Sequence, residues 1–237
     1  MRFLLPIFIL TAAFPAQADR LVPLLISVEE SQKYVDDLKV SVLPVELRPR
    51  VEPFMDASMV PAVLALAIAV EVNGRPPMLL TSGPIAAAAA SIRVRAPSGE
   101  WTLATGVRLY GEGEVAALEG LNAAFWQQVT PVPMEGEIKV QRTTPVFTIH
   151  GAGTPFPVLV HGVVVETFPE LLEGVFVTDV AFPHGAPLLT ANRTLLGLTF
   201  RPHPSDEERS VAVSAEKLRA WVHSEGAETT ARAPTPE

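Results

Sequence analysis

Acid–base or metal chemistry in this chain has to be built from five histidines, His150, His161, His184, His203 and His223, because the sequence contains no cysteine. An imidazole titrates near neutrality but needs a second group: a carboxylate to orient it, a hydroxyl to deprotonate, or more ligands around a metal. No two of the five stand four residues apart and no H-E-x-x-H occurs, so the helical zinc signature is missing. His150 and His161 flank a probable hairpin loop, yet two ligands make a poor metal site, and cross-strand packing suits that spacing better. No metal site and no cofactor are expected. His184 sits in "PHGAPLL" and Glu114 in "GEGEVAAL"; if the fold brought them together, the carboxylate would raise the imidazole pKa and make an acid–base pair. A cleft filled by ordinary polar side chains is the alternative. Ser82, in "LLTSGP", offers a hydroxyl with no base beside it in sequence. "NRT" at Asn192 spells a glycosylation acceptor and reads equally as a turn. Acids around Glu112 and Glu114 are too sparse for a calcium loop.

The first twenty residues bear on where such chemistry would operate. "MRFLLPIFILTAAFPAQADR" has Arg2, an apolar run from Phe3 to Phe14 and the A-x-A pattern Ala16-Gln17-Ala18. This is the layout of a signal peptide cleaved after Ala18, and the run falls short of the ~20 residues that span a bilayer. A periplasmic or secreted protein is expected, and with no cysteine its stability must come from its core. Loss of Arg2 leaves the chain more acidic than its overall net charge of −8. No Lys/Arg stripe offsets that charge, so nucleic acid is excluded as a partner.

The elements that must position these residues are short. The chain has 237 residues, 48% hydrophobic and 19% charged, so it can bury a sizeable core; its 23 prolines favour strands and turns over long helices. Ser27 and Glu30 are spaced as a capping box, predicting a helix with Val28, Tyr34, Val35 and Leu38 sharing parts of one face. The apolar run Met59–Val72 permits either helix or strand; the turn "NGRPP" and the short strand "MLLTS" after it favour a hairpin. "GPIAAAAAS" reads as one or two helical turns. Ile92–Arg95 and Trp101–Val107 form a second hairpin, and "EVAALEGL" another strand. Asn122–Gly136 reads as a linker. Six more strand candidates follow: "TTPVFTIHGAG", "FPVLVHGVVVET", "GVFVTDV", "APLLTA", "TLLGLTF" and "RSVAVS". "SAEKLRAWVHS" closes as an amphipathic helix capped by Ser214, and "GAETTARAPTPE" as a polar, disordered tail.

In order and spacing, four of these stretches resemble the trypsin-like (chymotrypsin-fold) serine proteases, most closely the disulfide-free bacterial HtrA/Deg type. The resemblance covers roughly residues 57–223. "MLLTSGPIA" is similar to I-L-T-N-A-H-V-V, and "SIRVRAPSGEWTLATGVRLYGEGEVAAL" to the family's hairpin followed by D-L-A-L-L. "DVAFPHGAPLLTANRTLLGLTF" is similar to the G-N-S-G-G-P-L-L segment and its following strand. "SVAVSAEKLRAWV" is similar to the last strand and C-terminal helix. The resemblance implies an all-β fold of two six-stranded antiparallel β-barrels, with a C-terminal helix and a short N-terminal helical extension. It divides the chain into a leader (1–18), an extension (19–56), a first barrel (57–121), a linker (122–136), a second barrel (137–213), a helix (214–224) and a tail (225–237).

The same resemblance implies that the catalytic positions are degenerate. Pro84 stands for the histidine, Glu114 for the aspartate and His184 for the serine, so base and nucleophile are both missing. Asp179 precedes His184 by only five residues, which removes the turn whose N–H groups form the oxyanion hole. Loss of the nucleophile or base in one well-studied serine protease costs on the order of 10⁶ in turnover. The expectation is a protein that binds a peptide or protein without cutting it, as a subunit or scaffold of an envelope complex. The candidate cleft comprises Ser82, Glu114, His184 and Gly185, with residues 19–58 and Phe125-Trp126 as contact surfaces. The alternative is a hydrolase with a rearranged site, in which His184 and Glu114 activate water.

Overall fold

The computed structural model describes residues 27–50, 60–72, 75–134, 139–168, 173–224 and 229–231. The leader with its cleavage point after Ala18, and the Asn73-Gly74 pair of the first hairpin turn, lie outside the described residues. The capping box forms as its spacing predicts: the Glu30 N–H donates to Ser27 Oγ (3.1 Å) and the Ser27 N–H to the Glu30 carboxylate (2.9 Å). It opens helix α1, Val28–Leu38. Tyr34, Val35 and Leu38 are buried, whereas Val28, at the first helical position, is exposed. The Tyr34 ring packs 5.8 Å from that of Phe147, and its hydroxyl donates to the Thr190 carbonyl (2.7 Å), so α1 is fixed to the second half of the chain.

Seven of the nine strands of the first sheet follow one another between residues 42 and 119: β1 Val42–Pro49, β2 Val63–Glu71, β3 Met78–Ser82, β4 Ala89–Arg95, β5 Trp101–Ala104, β6 Gly106–Tyr110 and β7 Val115–Glu119. Helix α2, Gly83–Ala88, joins β3 to β4. Antiparallel pairing runs β6-β7-β3-β2-β1-β4-β5, a curled half-barrel. Its two ends are consecutive in the chain and separated only by Thr105, so one bent strand serves both. The sheet therefore starts within the expected N-terminal extension. β1 is held between β2 and β4, and its prolines do not prevent this: Pro44 lies beyond the stretch paired to β4, and Pro49 falls at a register shift.

The expected linker is also structured. It holds helix α3, Ala123–Trp126, capped by Asn122, and β8, Val132–Pro133, which pairs in parallel with β2. Phe125 is buried in the first core, so it is no contact surface. In the described part of the N-terminal extension Tyr34, Val35, Leu38 and the inward residues of β1 are core, which leaves only its outward side chains, Val28 and Arg48 among them, exposed. The tail is corrected as well: Thr229–Ala231 pairs with the free side of β6, a position that β-branched threonines suit.

The second half forms β9 Pro145–His150, β10 Val158–Thr167, β11 Val175–Thr178, β12 Pro187–Leu189, β13 Leu195–His203 and β14 Asp206–Ser214, a closed barrel in the order β10-β11-β14-β13-β12-β9. Helix α4, Ala215–His223, follows, with Ser214 accepting the Lys217 N–H. His150 stands opposite Val158 and His161 opposite Phe147, so the two imidazoles are staggered along the hairpin instead of facing each other.

The halves meet through β2. Ala65, Ala67 and Ala69 point into the first core, while Leu66, Ile68 and Val70 belong to the cluster that also contains Leu188, Leu198 and Val213 of the second barrel. Leu79 and Leu80 of β3 divide in the same way. A strand buried on both faces reads as an unbroken apolar run, which is why this segment looked equally helical in sequence.

Two outcomes follow from this packing. Ile68→Ala is expected to cost about 2–5 kcal/mol, read in urea, and to destabilise both halves in a single transition because they share that cluster. Burial pushes the Tyr34 phenol well above its ordinary range, only partly countered by Arg193. Above about pH 10 the unfolded chain sheds that proton while the folded chain retains it, so stability is complete below this pH and falls as pH rises. In Tyr34→Phe this alkaline fall should flatten, as measured by urea midpoints across pH 8–11.

Candidate functional site

The sharpest convergence of predicted residues lies where β3, the turn before β7 and the turn before β12 meet. Ser82 ends β3 and stands at the N-cap of α2, with Pro84 in the first helical turn, where a missing N–H is tolerated. Thr81 Oγ1 donates to the Leu66 carbonyl (2.7 Å), and Ser82 Oγ, fully buried, donates to the Phe200 carbonyl on β13 (2.8 Å). The Gly83 N–H donates to the Glu114 carbonyl (2.9 Å). A Cβ on Gly83 would lie 2.0 Å from the Gly113 carbonyl oxygen, so only glycine fits this approach.

From the second barrel, the turn Pro183–Ala186 enters the same place. The Leu66 N–H donates to the His184 carbonyl (2.9 Å), and Gly185 adopts φ +70° directly against β2 and β3. A Cβ there would sit 2.1 Å from the Leu66 carbonyl oxygen and 2.4 Å from Thr81 Oγ1. Thr199 fixes the turn from below. Its Oγ1 donates to the Pro183 carbonyl (2.7 Å) and accepts the Ala186 N–H (2.9 Å), while its carbonyl accepts the Gly185 N–H (3.0 Å). Thr199 was missed by sequence reasoning, although a buried threonine within the apolar strand "LLGLTF" is the signal that could have found it.

The four cleft candidates therefore divide. Ser82 and Gly185 are buried in the seam between the halves, whereas Glu114 and His184 are half-buried and Pro84 is exposed. The Glu114 carboxylate turns back on its own loop and accepts the Glu112 N–H. Its Oε2 lies over Gly111, where the Trp221 ring also approaches. Among the described residues, no hydrogen bond or ion pair joins Glu114 to His184, and the Ser82 hydroxyl faces a carbonyl, not an imidazole. Asp179 is structural: its Oδ1 accepts the Val163 N–H (2.7 Å) beside the β10 register shift. Among the described residues there is no group of three or more His, Asp or Glu able to hold a metal ion.

A closed antiparallel barrel, a curled partner sheet, a shared seam and a C-terminal helix define the trypsin-like two-barrel fold. Solved structures with this arrangement include the Rv3671c protease from M. tuberculosis in its active form, at 15% identity and a TM-score of 0.54, covering 82% of this chain and 85% of that one. Its inactive form gives 15% identity and 0.55, covering 82% and 93%, and an inactive serine-to-alanine mutant gives 17% and 0.56, covering 82% and 91%. At these identities the likeness shows the fold alone. No protein-family model and no curated protein matches the chain.

Gly185→Ala should be among the most damaging small substitutions in the molecule. It adds ~1–2 kcal/mol of left-handed strain to the overlap with the Leu66 carbonyl. Ser82→Ala should cost less, about 1–3 kcal/mol, because it leaves the buried Phe200 carbonyl without that donor. Urea unfolding of the two variants side by side checks that order.

Proposed function

We propose that this chain is a non-catalytic member of the trypsin-like fold that works by binding a peptide or protein partner, as a subunit or scaffold of a bacterial envelope complex. The observation that carries this reading is the separation of the groups that would have to cooperate. A serine-protease mechanism needs a hydroxyl within hydrogen-bonding reach of an imidazole, itself oriented by a carboxylate. Here the Ser82 hydroxyl is engaged by the Phe200 carbonyl, and the Glu114 carboxylate caps its own turn. Pro84 and His184 stand at the positions that resemble the base and nucleophile, and neither supplies the required group. The leader-like N-terminus and the lack of cysteine support a periplasmic or secreted setting.

On this reading the fold keeps the use that a cleft and its loops supply without chemistry, which is recognition. The purified mature chain should be blank against casein and a mixed peptide library, and unlabelled by a fluorophosphonate probe. Robust cleavage that disappears in His184→Ala would overturn the proposal and establish the rearranged hydrolase instead. Crosslinking in native envelopes followed by mass spectrometry identifies the partner.

A further inference from the structure

We propose that the outward face of the first sheet, across β2, β1, β4 and β5, is a docking surface for an acidic, extended peptide segment of a partner protein. The register sets out this face rung by rung. Leu64 stands opposite Glu46, Glu46 opposite Arg93 and Arg93 opposite Leu103; on neighbouring rungs Arg95 faces Trp101 and Arg48 faces Ser91. The alternate residues, Val45, Leu47, Ile92, Val94 and Ala104, fill the core, so the first set points away from it.

Three large apolar side chains remain exposed on this face: Leu64 at 71%, Leu103 at 46% and Trp101 at 36%. Two guanidiniums flank the Trp101 ring, with Arg93 at 5.4 Å and Arg95 at 5.9 Å from its centroid. Tryptophan and arginine together are the side chains that most often dominate interface energetics. The charge on these rungs also runs against the molecule's. The chain carries −8 overall, yet here Arg48, Arg93 and Arg95 accompany one carboxylate, Glu46, which Arg48 and Arg93 share. Among the described residues Arg95 bonds to two carbonyls, those of Gly99 and Gly153, and to no carboxylate.

The backbone makes the same offer. β5 is the end of the hydrogen-bonded path and, among the described residues, pairs with β4 alone. A free edge accepts an added strand. Every second residue of such a strand would turn outward, where a carboxylate reaches the arginines and its methylene stem lies along Trp101 and Leu103, and the apolar residues between them turn to the opposite face. This surface goes beyond the reading above and does not depend on whether the chain cleaves peptides, so failure of either leaves the other standing.

The test is fluorescence anisotropy of the mature chain with two labelled decapeptides, one alternating Glu and Val and the other Lys and Val, at low salt and with salt added. Vesicles containing phosphatidylglycerol serve as a third probe. The expected result is binding of the acidic peptide alone, weakened by salt. Arg48→Glu and Trp101→Ala should each weaken it roughly tenfold or more. Circular dichroism monitors folding, and Arg48, with a side chain 65% exposed, can be reversed without disturbing the core. Equal or tighter binding of the basic peptide or the vesicles overturns the proposal. So does absence of binding, or acidic-peptide binding that neither substitution affects.

Discussion

Along β2, every second side chain belongs to a different core. The alanines at 65, 67 and 69 leave room for the curled first sheet to close around them, and the larger Leu66, Ile68 and Val70 fill the space against the second barrel. Neither half can shed this strand without exposing apolar surface on both sides, at about 25 cal/mol for each Å² uncovered. Small inside and large outside is the size order this geometry requires. A sheet of strong curvature has little interior volume, whereas the gap between two packed units must be filled by long side chains. Leu79 and Leu80 extend the division to β3.

Once β2 and β3 form the floor of the seam, the turn around Gly185 has little freedom. Its backbone is drawn against the Leu66 carbonyl and Thr81 so closely that no side chain fits, and Thr199 holds it from the other side through its hydroxyl, its N–H and its carbonyl. This gives Gly185 a packing role that requires no catalysis. The approach of two backbones accounts for this glycine on its own, as it does for Gly83 against Gly113. Ser82 belongs to the same economy of contacts. A fully buried hydroxyl needs a partner, and the Phe200 carbonyl supplies one across the seam, so this hydroxyl ties the halves together.

What the sequence disclosed follows the range over which each signal acts. Caps and hairpins are local, and Ser27 with Glu30, the Ser214 cap, and the six strands of the second barrel were legible because neighbouring residues decide them. Membership in the first sheet is not local. β1 carries two prolines and looks like an extended connection until β2 and β4 pair on either side of it, leaving both prolines where no ladder bond is lost. Phe125 lies in a polar stretch with prolines around it, and only the tertiary structure supplies the core it enters. Thr229–Ala231, expected as disordered tail from its polar composition, pairs with β6 through backbone hydrogen bonds that composition does not report. At the site, landmark strings located Ser82, Glu114, His184 and Gly185 in segments that do converge. Their actual partners, the carbonyls of Leu66 and Phe200, are backbone atoms that carry no residue identity and could not be read.

The same packing constrains where recognition can occur. Helix α1, β1 and Phe125 have been drawn into the cores, and the seam is closed by backbone contact at Gly185. A curled sheet has two faces, and with its concave side filled by the first core the convex side across β2, β1, β4 and β5 stays open to another molecule. On that convex side the alternation that places Ile92 and Val94 inside necessarily turns Arg93 and Arg95 outward, on either side of Trp101. The pleat that builds the first core therefore also sets the chemistry of the face it presents, and at β5 that face ends at an edge with backbone groups still to be paired.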